Sequence, residues 1–297
     1  MEYKSIKGFT GLGQIGFLFA FLGLGVVLAG AVQYFITKQM QPVGLNVYDK
    51  AAVLKATIAP ENVNLARASQ FFGTLMLLFI PCVLWSFASN GKSPFWLGFN
   101  KFVNFPQIII GFSIILLAGF AATPFADFSK FILHYFPNID ADAKSMENTY
   151  SALTTALSNL TSSPEFFVAL FIMALLPAMF EEMFFRGVLQ NLLVRWWQKP
   201  ILAIIVTSIL FSLVHSSIYL FLSRAFLGFI LGYMFYKTKN IWINIAAHFI
   251  NNTLALTALY FVKKSTGKVS LDKIEPNVHW TFGLFCVCLI IAAFIYL

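Results

Sequence analysis

The feature that most restricts the fold is a succession of apolar runs, nearly free of charge, that recur along the whole chain. A helix needs about 20 apolar residues to cross the hydrocarbon core. Inside that core only helices and closed barrels satisfy their own backbone polar groups. On this count the runs 11–36, 70–90, 106–126, 165–186, 200–221, 224–236, 240–262 and 280–297 predict about eight spans. The fourth is expected to continue as helix to Trp197, and the sixth is short enough to be tilted or partly re-entrant. The expected fold is therefore all-α, a polytopic transmembrane helical bundle. Composition agrees, since only 11% of the 297 residues are charged and 59% are hydrophobic, whereas a soluble domain carries about 25% charged residues.

The first apolar run is too long for a secretory h-region and has no small-residue cleavage site after it, so it reads as a retained helix. Basic residues fall in pairs between spans: Lys4 and Lys7, Lys92 and Lys101, Arg195 and Lys199, Lys237 and Lys239. These pairs alternate consistently and place the N-terminus in the cytoplasm. The segment after the third span carries Asp127, Asp140, Asp142, Glu147 and Glu165 against two lysines, as a non-cytoplasmic loop would. Lys263, Lys264, Lys268 and Lys273 oppose this orientation. The net charge of +8 suits anionic lipid headgroups; because the basic residues punctuate apolar spans, it does not indicate nucleic acid. Cys82, Cys286 and Cys288 lie in apolar runs, which argues against a disulfide scaffold or a cysteine metal site. The polar segments 37–67 and 127–164 have room for short surface helices, and "FADFSKFILHYF" has a mixed face suited to the membrane interface.

Against this background the stretch "FIMALLPAMFEEMFFRGVLQNLLVRWW" stands out. Within span interiors the ionisable residues are Glu181, Glu182, His215 and His248, with Arg186 one turn beyond Glu182. Such residues are costly in lipid and mark functional sites by default. They come from three spans, so a single converging site is the economical reading. Glu182 and Arg186 are i,i+4 and share a helix face, while Glu181 is turned by ~100° into different space. The residues therefore suggest an ion pair for support or substrate binding, with Glu181 left for chemistry. His248 and Asn252 share a face of another span; Asn251, ~100° away, reads as a packing or capping group. Gly228 and Gly232, at i and i+4, permit close helix approach. A carboxylate sheltered from bulk water is a suitable general base, and imidazole and amide N–H groups can hold an oxyanion. Histidine and carboxylate are equally zinc ligands, so a metal site on Glu181, His215 and His248 stays open at this point. Rise along the predicted spans, at ~1.5 Å per residue, sets Glu181 and His248 nearer the cytoplasmic face and His215 nearer the other.

The series Glu181-Glu182-x-x-x-Arg186, Phe211-x-x-x-His215 and His248-x-x-x-Asn252 resembles the CPBP family of intramembrane proteases. That family includes CAAX prenyl endopeptidases of the Rce1 type and bacteriocin self-immunity proteins. "LGFILGYMFYKTKNIWINIAAHFINN" also looks like the family's stretch between its later motifs. The resemblance covers about residues 164 to 262 and divides the chain into N-terminal helices (1–160), an Rce1-like core (161–265) and a C-terminal loop with a last helix (266–297). It implies an endopeptidase acting on membrane-associated protein or peptide substrates. Glu181 with His215 would activate water, His248 with Asn252 would form the oxyanion site, and Glu182 and Arg186 would support it or contact substrate. A divalent metal such as zinc is used on one view of the family, and a glutamate-dependent mechanism on the other. The sequence has no His-Glu-x-x-His, which leans toward glutamate and water. The resemblance also suggests a bacterial cytoplasmic membrane, where no prenylated target need exist.

Two readings of other classes compete. A proton-coupled transporter would use the same residues as a relay and predicts flux that survives loss of peptide cleavage. A non-catalytic immunity or binding protein predicts a function unchanged in Glu181→Ala.

Overall fold

The computed structural model describes residues 3–42, 44–102, 104–267 and 278–297. These residues contain ten helices: α1 (Gly11–Gln39), α2 (Lys50–Ile58), α3 (Pro60–Ser89), α4 (Phe105–Leu133), α5 (Pro137–Ser158), α6 (Ser163–Trp197), α7 (Pro200–Leu213), α8 (Phe221–Thr238), α9 (Ile241–Thr266) and α10 (Trp280–Tyr296), besides a short 3-10 turn at Pro94–Leu97. The protein is an all-α membrane bundle. Five helices, α1, α3, α4, α6 and α9, are long and apolar enough to span, and α7 and α10 are shorter apolar helices.

Local signals explain the boundaries. Thr10 caps α1, its hydroxyl accepting from the Gly13 N–H, and Asn104 caps α4 in the same way for Gln107. Asn240 caps α9 through Trp242 N, satisfying backbone donors that a helix start leaves open. Proline near the first turn opens α4, α5, α6 and α7, where its missing N–H costs nothing. Gln198 and Lys239 take positive φ in the tight turns after α6 and α8.

Several predicted limits shift. The second span starts at Pro60, ten residues early, because Pro60 opens a helix that Arg67 does not interrupt. Arg67 is buried but satisfied, donating to the Leu157 and Ser158 carbonyls and to Glu165 at 2.6 Å. The fifth ends at Leu213 rather than 221, since Ser216 adopts φ +50° and turns the chain back into α8. "FADFSKFILHYF" is for the most part the continuation of α4 to Leu133, not a separate interfacial helix. The segment 127–164 holds instead the 22-residue helix α5.

The two larger of four apolar cores among the described residues organise the bundle. One joins α1, α3 and α6 through Leu18, Trp85, Phe180 and Phe185; the other joins α4, α8, α9 and α10 through Ile114, Met234, Ile243 and Ile290. Large apolar side chains such as Phe19, Val27 and Ile295 point outward at 60% exposure or more, a contiguous apolar exterior that a water-soluble monomer would not carry. The inner faces of α6, α8 and α9 meet where the two cores adjoin. There the glycines matter: a Cβ on Gly232 would stand 2.7 Å from Gln190 Oε1 and 2.9 Å from Ile204. Gln190 uses that proximity, donating to the Gly232 carbonyl at 2.8 Å.

Candidate active site

The site is built on the middle of α6, the C-terminal end of α7 and the second to fourth turns of α9. Glu182 is fully buried and accepts from Arg186 Nη1 at 2.8 Å and from Asn244 Nδ2 at 3.2 Å. Its Oε1 also receives His248 Nδ1 at 2.9 Å. Arg186 in turn donates to the Gly228 carbonyl at 3.0 Å and lies over the Phe211 ring. The pair is thus enclosed by partners from α7, α8 and α9, which a buried ion pair requires to offset desolvation. Close approach of α8 at Gly228 makes the carbonyl reachable, since its Cβ position lies 3.2 Å from Phe211 and Ser208.

Glu181 turns the other way. Its side chain is 15% exposed and its Oε2, although buried, has no hydrogen-bond partner. Oε2 stands 3.6 Å from His215 Nε2 and 3.8 Å from His248 Nε2. The tautomers follow from the far side of each ring. His215 Nδ1 lies 2.6 Å from the Phe211 carbonyl, which only accepts, so Nδ1 carries the proton. His248 Nδ1 faces the Glu182 carboxylate and donates to it. Each imidazole, when neutral, therefore aims an Nε2 lone pair toward Glu181. Three acceptors face one another at distances too long for direct hydrogen bonds and suited to a bridging water.

These groups line a cavity of about 490 Å³. Its wall is largely apolar, with Met173, Pro177, Leu227 and Leu256 among its members, and its polar members include His215, His248, Glu147 and Arg224 beside Glu181. Asn252 lines it, as its shared face with His248 suggested, and so does Asn251, which the sequence had assigned to packing or capping. Neither amide makes a hydrogen bond among the described residues. Both are available to a ligand.

The predicted depth mismatch disappears for a geometrical reason. From Trp197 back to Glu181, and from Pro200 on to His215, the rise is about 24 and about 22 Å, so these two are level. Helix α9 does not begin at the same height. A Cβ on Gly187 would touch the Leu97 carbonyl at 2.8 Å and the Ile241 side chain at 3.4 Å, and Ile241 N donates to the Gly98 carbonyl. The turn at 94–98 therefore tucks in beside Gly187 and starts α9 level with it. Six residues up α6 and seven up α9, each ~1.5 Å, then bring Glu181 and His248 together.

Sequence reasoning missed Asn244, which orients Glu182; it sits four residues before His248 on the same face and was legible from that spacing. It also missed Glu147 and Tyr150 of α5, which line the cavity from a distant segment. No local signal marked them.

Glu181, His215 and His248 are donor types that zinc accepts, and both imidazoles have the far-side acceptors usual for metal-bound histidine. As the side chains stand, however, no three His, Cys, Asp or Glu among the described residues are arranged to hold a metal ion.

Comparison with curated proteins and with solved structures returns no match. A family model does match, over residues 163–254, about a third of the chain, and that stretch contains Glu181, Glu182, Arg186, His215, His248 and Asn252. The stretch that supplies Glu181, His215, His248 and Asn252 to the cavity is thus matched by the model of the family described as type II CAAX prenyl endopeptidase Rce1-like.

Proposed function

We propose that the protein is an intramembrane endopeptidase of a bacterial cytoplasmic membrane, hydrolysing a peptide bond of membrane-associated protein substrates. The observation that carries this reading is the unpartnered Glu181 Oε2 facing two Nε2 lone pairs in a mostly apolar cavity. A water seated there donates one hydrogen to Glu181 and one to His215, leaving an oxygen lone pair for the substrate carbonyl. On attack Glu181 takes a proton from the water, and the new C–O bond gives a tetrahedral oxyanion. The Asn252 amide is the neutral donor for that oxyanion. His248 donates from Nε2 only when doubly protonated, with Glu182 as counter-charge. Collapse breaks the C–N bond as Glu181 returns the proton to the departing amine. The products are a new carboxyl terminus and a free amine.

Prenylated CAAX proteins are the substrates that the family's description names; the cavity's apolar wall suits any lipid-proximal segment, prenylated or not. Quantitative comparison of membrane proteomes from cells with the native chain and with Glu181→Ala tests the reading. The expected outcome is a set of new C-termini present only with the native chain and lost equally in His215→Ala. Identical termini in all three strains would refute it. Because Glu181 acts on water directly, purified protein is expected to keep its rate in strong chelators. Loss reversed by added zinc would show instead that the acceptors close on a metal.

A further inference from the structure

We infer that the cavity opens toward the non-cytoplasmic side of the membrane, so that its substrates are exported or outward-facing segments of membrane-anchored proteins. Two independent observations meet here, and the substrate part rests on the peptidase reading above. The first is where the cavity lies along the bundle. Most of its wall comes from one half, with Gln70 of α3, Glu147 and Leu157 of α5, Met173 of α6, Arg224 at the start of α8 and Leu259 late in α9, while Ile115, Leu231 and His248 close its inner end. Helix α5, outside the family-matched stretch, borders it on that side. It is tied to the turn after His215 by Ser217 Oγ donating to Glu147 at 3.0 Å and Tyr219 O–H donating to Asp140 at 2.6 Å. Arg224 stacks on Tyr150 and donates to the His215 carbonyl. The opposite half is filled at this depth by the turn 94–98 packed on Gly187, and no cavity-lining residue comes from the 94–98 or 198–199 turns.

The second observation is charge. The half away from the cavity holds the four basic pairs, in or beside short connections, and residues 90–104, 195–199 and 237–240 contain no acidic residue. The cavity half spreads its basic residues through longer segments and matches them with acids, among them Asp127, Asp140, Asp142 and Glu147 around α5. Lys263 and Lys264 in the last turn of α9, with Lys268 and Lys273 after it in the sequence, weigh the other way, but Asp272 and Glu275 lie close to them in the sequence. Dense Lys and Arg near span ends fix the cytoplasmic side. The cavity is at the other end.

Single cysteines introduced without changing charge test this in intact cells, in a Cys288→Ser background, Cys82 and Cys286 being buried. A membrane-impermeant maleimide is expected to label Ser145→Cys and Asn148→Cys, both exposed on α5, and to label Ser93→Cys only after permeabilisation. The reverse pattern overturns the inference. In the same strains the termini that depend on Glu181 are expected to lie in non-cytoplasmic segments; cytoplasmic termini overturn the substrate part while leaving the peptidase standing. External labelling of α5 with no Glu181-dependent termini would sink the peptidase reading and with it the substrate assignment, the facing of the cavity being upheld by the labelling alone.

Discussion

Glu181 and Glu182 are chain neighbours with opposite surroundings. Glu182 is enclosed with Arg186, Asn244 and His248, whereas Glu181 faces the cavity without a partner. Removing Arg186 strands a buried carboxylate, so Arg186→Ala is expected to lose about 3–5 kcal/mol of stability. Glu181→Ala leaves no buried charge behind and should unfold within about 1 kcal/mol of the native chain. Reversible unfolding in detergent checks both; equal stability of the two variants would contradict the division. That division was legible in the sequence, because one residue of helical offset is ~100° and i,i+4 spacing pairs charges. The orienting role of Asn244 was equally available from spacing and was passed over. What no spacing could supply is the tautomer of each imidazole, which depends on acceptors contributed by the Phe211 carbonyl and by another helix.

At the scale of elements, the spans were legible wherever hydropathy is decisive and wrong wherever polar residues are satisfied by tertiary contact. Arg67 made α3 look shorter than it is, since its partners Leu157, Ser158 and Glu165 are some ninety residues away in the chain. The displaced start of α9 was illegible for a similar reason: it is set by Gly187 admitting the turn at 94–98, a contact between distant segments. Helix α5 was anticipated only as a surface feature, although its face Asp140, Glu147, Tyr150, Thr154 and Leu157 is turned to the site or its supporting turn. The contact of Glu147 with Ser217, two residues after His215, makes Glu147 a positioning residue. Glu147→Ala is expected to lower kcat about tenfold with KM little changed, and Glu147→Gln, whose amide oxygen accepts the same hydrogen bond, to stay within about threefold. Equal losses in the two variants, or native kcat in Glu147→Ala, would contradict this.

For the whole molecule, one arrangement accounts for the lipid-facing exterior, the buried ion pair and the cavity. Two apolar cores clamp α6, α8 and α9 together, and their seam holds every ionisable group found in the span interiors of α6, α7 and α9. A bilayer-embedded bundle gains little from hydrophobic contact between helices, so close glycine approaches and buried polar bonds such as Gln190 to Gly232 carry much of the packing. On the proposed reading this seam hydrolyses amides with water held by Glu181. Its most direct test is turnover of a cleaved peptide by the purified chain in nanodiscs made with ¹⁸O-labelled water. One ¹⁸O is expected in each new carboxyl terminus from a single turnover, with a rate lower by roughly 10²–10⁴-fold in Glu181→Gln. Native rates in Glu181→Gln, or new termini without the label, would contradict it.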